Sequence, residues 1–122
     1  NTRSRGLGDV YKRQDERERL QQSLGGNKAL ILRNHGLLTT GRTVPEAFMR
    51  LYRLERSAQV QIDAAAAGQL HVVGDNVAAH SRDGVESFIA DGTQNGGGLD
   101  YGRMEYAALM RKLDKIDANY RD

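Results

Sequence analysis

His35, set between Asn34 and Gly36, is the residue in this chain best placed to do chemistry. It follows Ala29-Leu30-Ile31-Leu32, a continuous apolar run between turn signals, which reads as a short strand buried on both faces. The end of such a strand is where open sheets place ligand sites. Gly36 can take a positive φ and leaves the imidazole uncrowded. Asn34 can bond a loop backbone or orient a neighbour. A neutral imidazole held on a rigid strand is a good ligand for zinc and related divalent ions. One histidine is not a site, however, because a zinc centre normally draws on three protein ligands even when one position stays open. On physical grounds alone, a lone histidine here is more often an ordinary hydrogen-bonded one.

The other candidates read as bland. His71 and His80 have no carboxylate or histidine at useful spacing, apart from Asp83 three residues after His80, a surface pair. Glu55 borders an apolar helical stripe, where a buried carboxylate needs an arginine, so a structural salt bridge is the commoner outcome. Gly25-Gly26-Asn27-Lys28 precedes a strand, the reverse of a phosphate-binding loop, and Gly96-Gly97-Gly98 has no lysine and no preceding strand. Arg50, Arg53 and Arg56 form a basic stripe, read as a solvated face. With no Cys, the chain has no disulfide, zinc–thiolate site or cysteine nucleophile; this fits a reducing cytoplasm.

The elements that must position His35 follow from caps and periodicity. Asp15 to Ser23 favours helix and stops at Gly25-Gly26, and Leu37 to Thr40 can return as a second strand. Thr43 and Glu46 have capping-box spacing, and Pro45 suits a first turn. Val44, Ala47, Phe48, Leu51, Ala58 and Ile62 then form one apolar stripe, predicting a helix over 44–67 that ends at Gly68. Leu70 to Val73 is a candidate extended piece. Asp75 to about Ala90 is a candidate helix capped by Asp75, with Val77, Val85, Phe88 and Ile89 inward. Asn95 to Gly98 reads as a loop, Leu99 to Ile116 as a last amphipathic helix with Met104, Ala108, Leu113 and Ile116 for burial, and the tail after it as frayed.

Charge separates the first stretch from the rest. Residues 1–14 carry Arg3, Arg5, Lys12 and Arg13 against Asp9, leaving 14 basic and 15 acidic residues in the remainder. A nearly neutral body argues against a nucleic-acid partner despite a pI of about 9.1. No apolar run approaches the roughly 20 residues of a membrane span. Residues 1–14 show no usable periodicity, and Gly6 to Gln14 resembles translated sequencing-adapter DNA. They are set apart as a non-native, disordered leader, with the natural reading frame cut before Asp15. Hydrophobic residues are 39% of the chain, so a self-sufficient core is doubtful.

The block Ala29 to Thr43, followed by Glu46-Ala47-Phe48 and Tyr52-Arg53-Leu54-Glu55-Arg56, resembles the class II aldolase/adducin family. There an apolar strand, an Asn-His-Gly turn, a glycine and a long helix come in this order. The resemblance is close over about Ser23 to Gly68. It implies an α/β fold: residues 15–122 as the helix-rich C-terminal part of a three-layer α/β/α domain, with one or two short strands.

In catalytic members the histidine of this turn is the last of three binding a divalent metal, usually zinc. The other two come from an earlier His-x-His pair, with an earlier glutamate for metal or acid–base work. Only His35 carries over, and no His-x-His occurs in this sequence. The resemblance thus implies a zinc-dependent lyase cleaving a C–C bond, by aldol cleavage or decarboxylation, in a small hydroxy-carbonyl or sugar-phosphate substrate. It also implies a cytoplasmic homotetramer, with this chain inactive alone because the N-terminal metal-binding half is missing. A second reading is a non-catalytic adducin-like head for oligomerisation and cytoskeletal binding.

Overall fold

A computed structural model describes residues 6–94 and 100–122, and side chains over 13–90 and 100–122. The order is helix α1 (Gly6–Leu24), strands β1 (Ala29–Leu32) and β2 (Gly36–Thr39), helices α2 (Val44–Ala67), α3 (Asp75–Gln94) and α4 (Arg103–Ile116), and a 3₁₀ turn (Asn119–Arg121). The chain is helix-rich with one two-stranded antiparallel sheet among the described residues. It divides into two compact units, residues 1–38 and 39–122. No helix among the described residues is long and apolar enough to cross a membrane.

In the first unit α1 packs on β1. The helix ends where the Gly25 amide donates to the Gln21 carbonyl at 3.0 Å, with Gly25 left-handed. Two expectations are corrected here. Helix α1 begins at Gly6, so residues 6–14 are helical and not disordered, although their sequence has no apolar face to announce it. Strand β1 is not buried on both faces: Ile31 is 77% exposed, because α1 packs on β1 and no second layer covers the other face among the described residues. Residues 1–5 of the leader lie outside the described residues.

In the second unit α2 keeps the bounds its punctuation predicts. The Glu46 amide donates to Thr43 Oγ1 at 3.2 Å, and Pro45 sits in the first turn. Half of the capping box forms. The Glu46 carboxylate reaches one residue further back than Thr43 and accepts from the Arg42 amide at 3.2 Å. Thr39 Oγ1 donates to the Ala47 carbonyl at 2.8 Å, tying the residue that ends β2 to the first turns of α2.

Helix α4 packs on α2. It begins at Arg103, not Leu99, because Gly102 turns the chain with φ +84°. A Cβ on Gly102 would lie 2.5 Å from the Pro45 carbonyl oxygen and 2.7 Å from Met49 Cγ, so close approach of the two helices also demands glycine. Phe48 and Tyr106 meet edge-to-face at 5.3 Å between ring centroids. After α4, Asp114 accepts from the Tyr120 hydroxyl at 2.5 Å and from Arg121 Nη2 at 2.7 Å, so the tail is tied back and not frayed. The Tyr120 hydrogen bond, and then the Asp114 charge, raise the Arg121 pKa above its ordinary value.

The core is sparse. Met49 and Ile89 are the buried apolar side chains among the described residues. Of those expected inside, Val44, Ile62, Phe88, Met104 and Ile116 are mostly exposed. Periodicity located an apolar stripe, but a stripe is covered only where another element lies against it. Helix α3 runs to Gln94 and is entered through Gly74, whose carbonyl accepts from Val77 and Ala78, so Asp75 is its first helical residue and not its cap. Residues 69–74 form no strand. The loop expected at Asn95 to Gly98 lies outside the described residues.

Candidate functional site

His35 closes the turn between β1 and β2, and Gly36, with φ +99°, begins the second strand. A side chain at Gly36 would be strained in that conformation, so this turn fixes where the imidazole leaves the hairpin. The imidazole is exposed and makes no hydrogen bond among the described residues.

His35 lines a concavity of about 520 Å³ within the first unit, together with Leu20, Leu30, Glu16, Arg19 and Arg33. Its wall is mixed. Leucines from α1 and β1 supply apolar surface, and Arg19 and Arg33 supply positive charge. By residue type Glu16 is only a helix former. Its presence here follows from α1 packing on β1, which residue type alone does not announce.

As a metal site the arrangement is one corner. It offers one unengaged imidazole and one carboxylate in the same concavity, where a catalytic divalent ion normally has three protein ligands. No group of three or more His, Asp or Glu side chains able to hold a metal occurs among the described residues. The other histidines stay apart. His71 is exposed in the irregular segment after α2, and His80 is exposed on α3 while Asp83 pairs with Arg82 at 3.2 Å.

The structural ion pair expected at Glu55 forms elsewhere. Glu55 is exposed and without an ion pair among the described residues. Glu46 is instead the buried carboxylate, 4% exposed. Its Oε1 accepts from Arg50 Nη2 at 2.8 Å, and its Oε2 accepts from both the amide and Nε of Arg42. The signal was present in the sequence: arginines stand four residues to either side of Glu46, the spacing that brings helical side chains together. Arg50 thus leaves the solvated stripe, while Arg53 and Arg56 remain exposed.

Comparison with known proteins agrees with the local pattern. Residues 6–62 match the family model described as Class II Aldolase and Adducin N-terminal domain, a match that takes in part of the stretch set apart as leader. A Pseudomonas aeruginosa protein named for the class 2 aldolases is 36% identical over 109 residues, covering 88% of this chain and 40% of the relative. Human gamma-adducin is 32% identical over 129 residues, covering 90% of this chain and 18% of its own length. The crystal structure of an aldolase II superfamily protein from Pseudomonas syringae superposes with a TM-score of 0.67 at 34% identity. That match covers 88% of this chain and 41% of the other. The chain therefore spans about two fifths of the class 2 relatives it matches. It shares their fold, and it belongs to the class II aldolase and adducin family.

Proposed function

We propose that the protein containing this chain is a divalent-metal-dependent lyase that cleaves a C–C bond in a small hydroxy-carbonyl or sugar-phosphate substrate, with His35 as one ligand of a zinc ion. The observation that carries this reading is the imidazole of His35: exposed, unengaged, and aimed from a glycine-fixed turn beside a concavity. When bound, the metal supplies Lewis-acid stabilisation of the negative charge that develops on the substrate oxygen. The hairpin fixes the backbone position from which the imidazole leaves. Arg19 and Arg33 favour an anionic substrate at the rim, and the leucines exclude part of the water. The remaining ligands belong to the longer protein, which acts as a cytoplasmic homotetramer.

The identity to gamma-adducin, close to that of the bacterial relative, favours a second reading: a non-catalytic head in which the same turn is structural. The two separate on one experiment with the full-length protein. The lyase reading expects C–C cleavage of a hydroxy-carbonyl or sugar-phosphate panel that a chelator abolishes and added zinc restores. A protein that binds no metal and turns over none of the panel is the adducin-like module.

A further inference from the structure

We propose that Glu16 on α1 is a positioning residue for His35: its carboxylate accepts the second ring N–H of the imidazole when the first nitrogen binds a metal. The inference rests on the reading of His35 as a metal ligand and adds a residue to that site.

The fold of the first unit brings the two together. Helix α1 ends at Leu24, and the chain turns back at once, with the Asn27 amide donating to the Leu24 carbonyl at 2.9 Å before β1 begins at Ala29. The helix then packs on the strand that follows it. A helix advances about 1.5 Å per residue, so Glu16 stands about 12 Å back from Leu24. The four residues of β1 advance about 13 Å the opposite way. Glu16 is therefore level with the end of β1, where His35 leaves the strand. Glu16, Leu20 and Ser23, at helical spacing on one face of α1, line the concavity whose other wall includes Leu30, Arg33 and His35.

Charge and vacant bonding capacity favour the pairing. Of the described residues lining the concavity Glu16 alone is acidic, against Arg19 and Arg33, and a divalent cation there needs that negative charge. Arg19 Nε donates to the Asp15 carbonyl at 3.3 Å and makes no ion pair with Glu16. Glu16 and His35 are both exposed and unengaged among the described residues, so closing on one another breaks no existing contact. A metal-bound imidazole has one N–H left to donate, and a carboxylate that accepts it fixes the tautomer and ring orientation and raises ligand basicity. The leucine side of the concavity strengthens such a bond by lowering the local dielectric.

The test is zinc affinity of the full-length protein, titrated in competition with a chromophoric chelator. E16Q keeps side-chain length and helix propensity, and it is expected to bind zinc about tenfold or more weakly. E16D, which keeps the carboxylate, is expected to recover part of that loss. E18Q removes the same charge from the same helix outside the concavity and is expected to bind as the unaltered protein does. Circular dichroism checks that helix content is equal in all three. Zinc affinity unchanged in E16Q, an equal loss in E18Q, or E16D no better than E16Q would each overturn the role of Glu16. If H35A loses zinc while E16Q does not, the reading of His35 survives and only this inference falls; if H35A retains zinc, both fall.

Discussion

Glu46 and Arg50, one turn apart on α2, meet at 2.8 Å with side chains only 6% and 12% exposed. The same carboxylate holds the Arg42 amide and Nε, so one buried charge organises the entry into the longest helix. Arg50 Nε is itself buried without a hydrogen-bond partner among the described residues. Removing Glu46 would therefore leave a guanidinium with little compensation.

Glu46→Ala is expected to cost about 3 kcal/mol, the lower end for breaking a buried pair because Arg50 keeps some contact with water. Glu46→Gln retains the shape and one acceptor and costs about 1–2 kcal/mol. Replacing both partners, Glu46→Leu with Arg50→Met, recovers most of the loss. Urea unfolding of the three variants checks the order, and a double replacement as damaging as Glu46→Ala would contradict it.

Two glycines predict opposite signs. Gly102→Ala meets the Pro45 carbonyl and a left-handed backbone at once, and should destabilise by about 2–4 kcal/mol while loosening the Phe48–Tyr106 contact. Gly84 lies within α3 with nothing within 4 Å of an added Cβ. Gly84→Ala should stabilise by about 0.5–1 kcal/mol through helix propensity. Thermal unfolding of both variants reads the two signs directly.

Thr39 offers a smaller, local test. Thr39→Val keeps the volume but removes the hydroxyl that donates to the Ala47 carbonyl, and should cost about 1 kcal/mol, whereas Thr39→Ser should retain most of it. Denaturant midpoints of the two variants that coincide would show that the bond contributes nothing measurable.

What the sequence made legible follows from where the local signals are strong. Helix α2 was readable to the residue because Thr43, Pro45 and Gly68 mark its ends. The start of α4 was not, since Gly102 acts by a left-handed turn and by closeness to Pro45, and neither is local. Helix α1 was missed over residues 6–14 because a helix without an apolar stripe leaves no periodic trace. The turn at His35 was legible from Asn34, His35 and Gly36, and from the resemblance they carry. Its neighbours Glu16 and Arg19 were not, because the packing of α1 on β1 brings them there. Glu46 was read as a cap, and its second role needed the positions of Arg42 and Arg50.

The central claim is that His35 ligates a catalytic metal, and the metal content of the full-length His35→Ala variant tests it most directly. Inductively coupled plasma mass spectrometry is expected to show zinc at background in the variant and bound in the unaltered protein, with lyase turnover lost and helix content unchanged. Full metal occupancy together with undiminished turnover in His35→Ala would contradict the account and leave His35 as a turn residue.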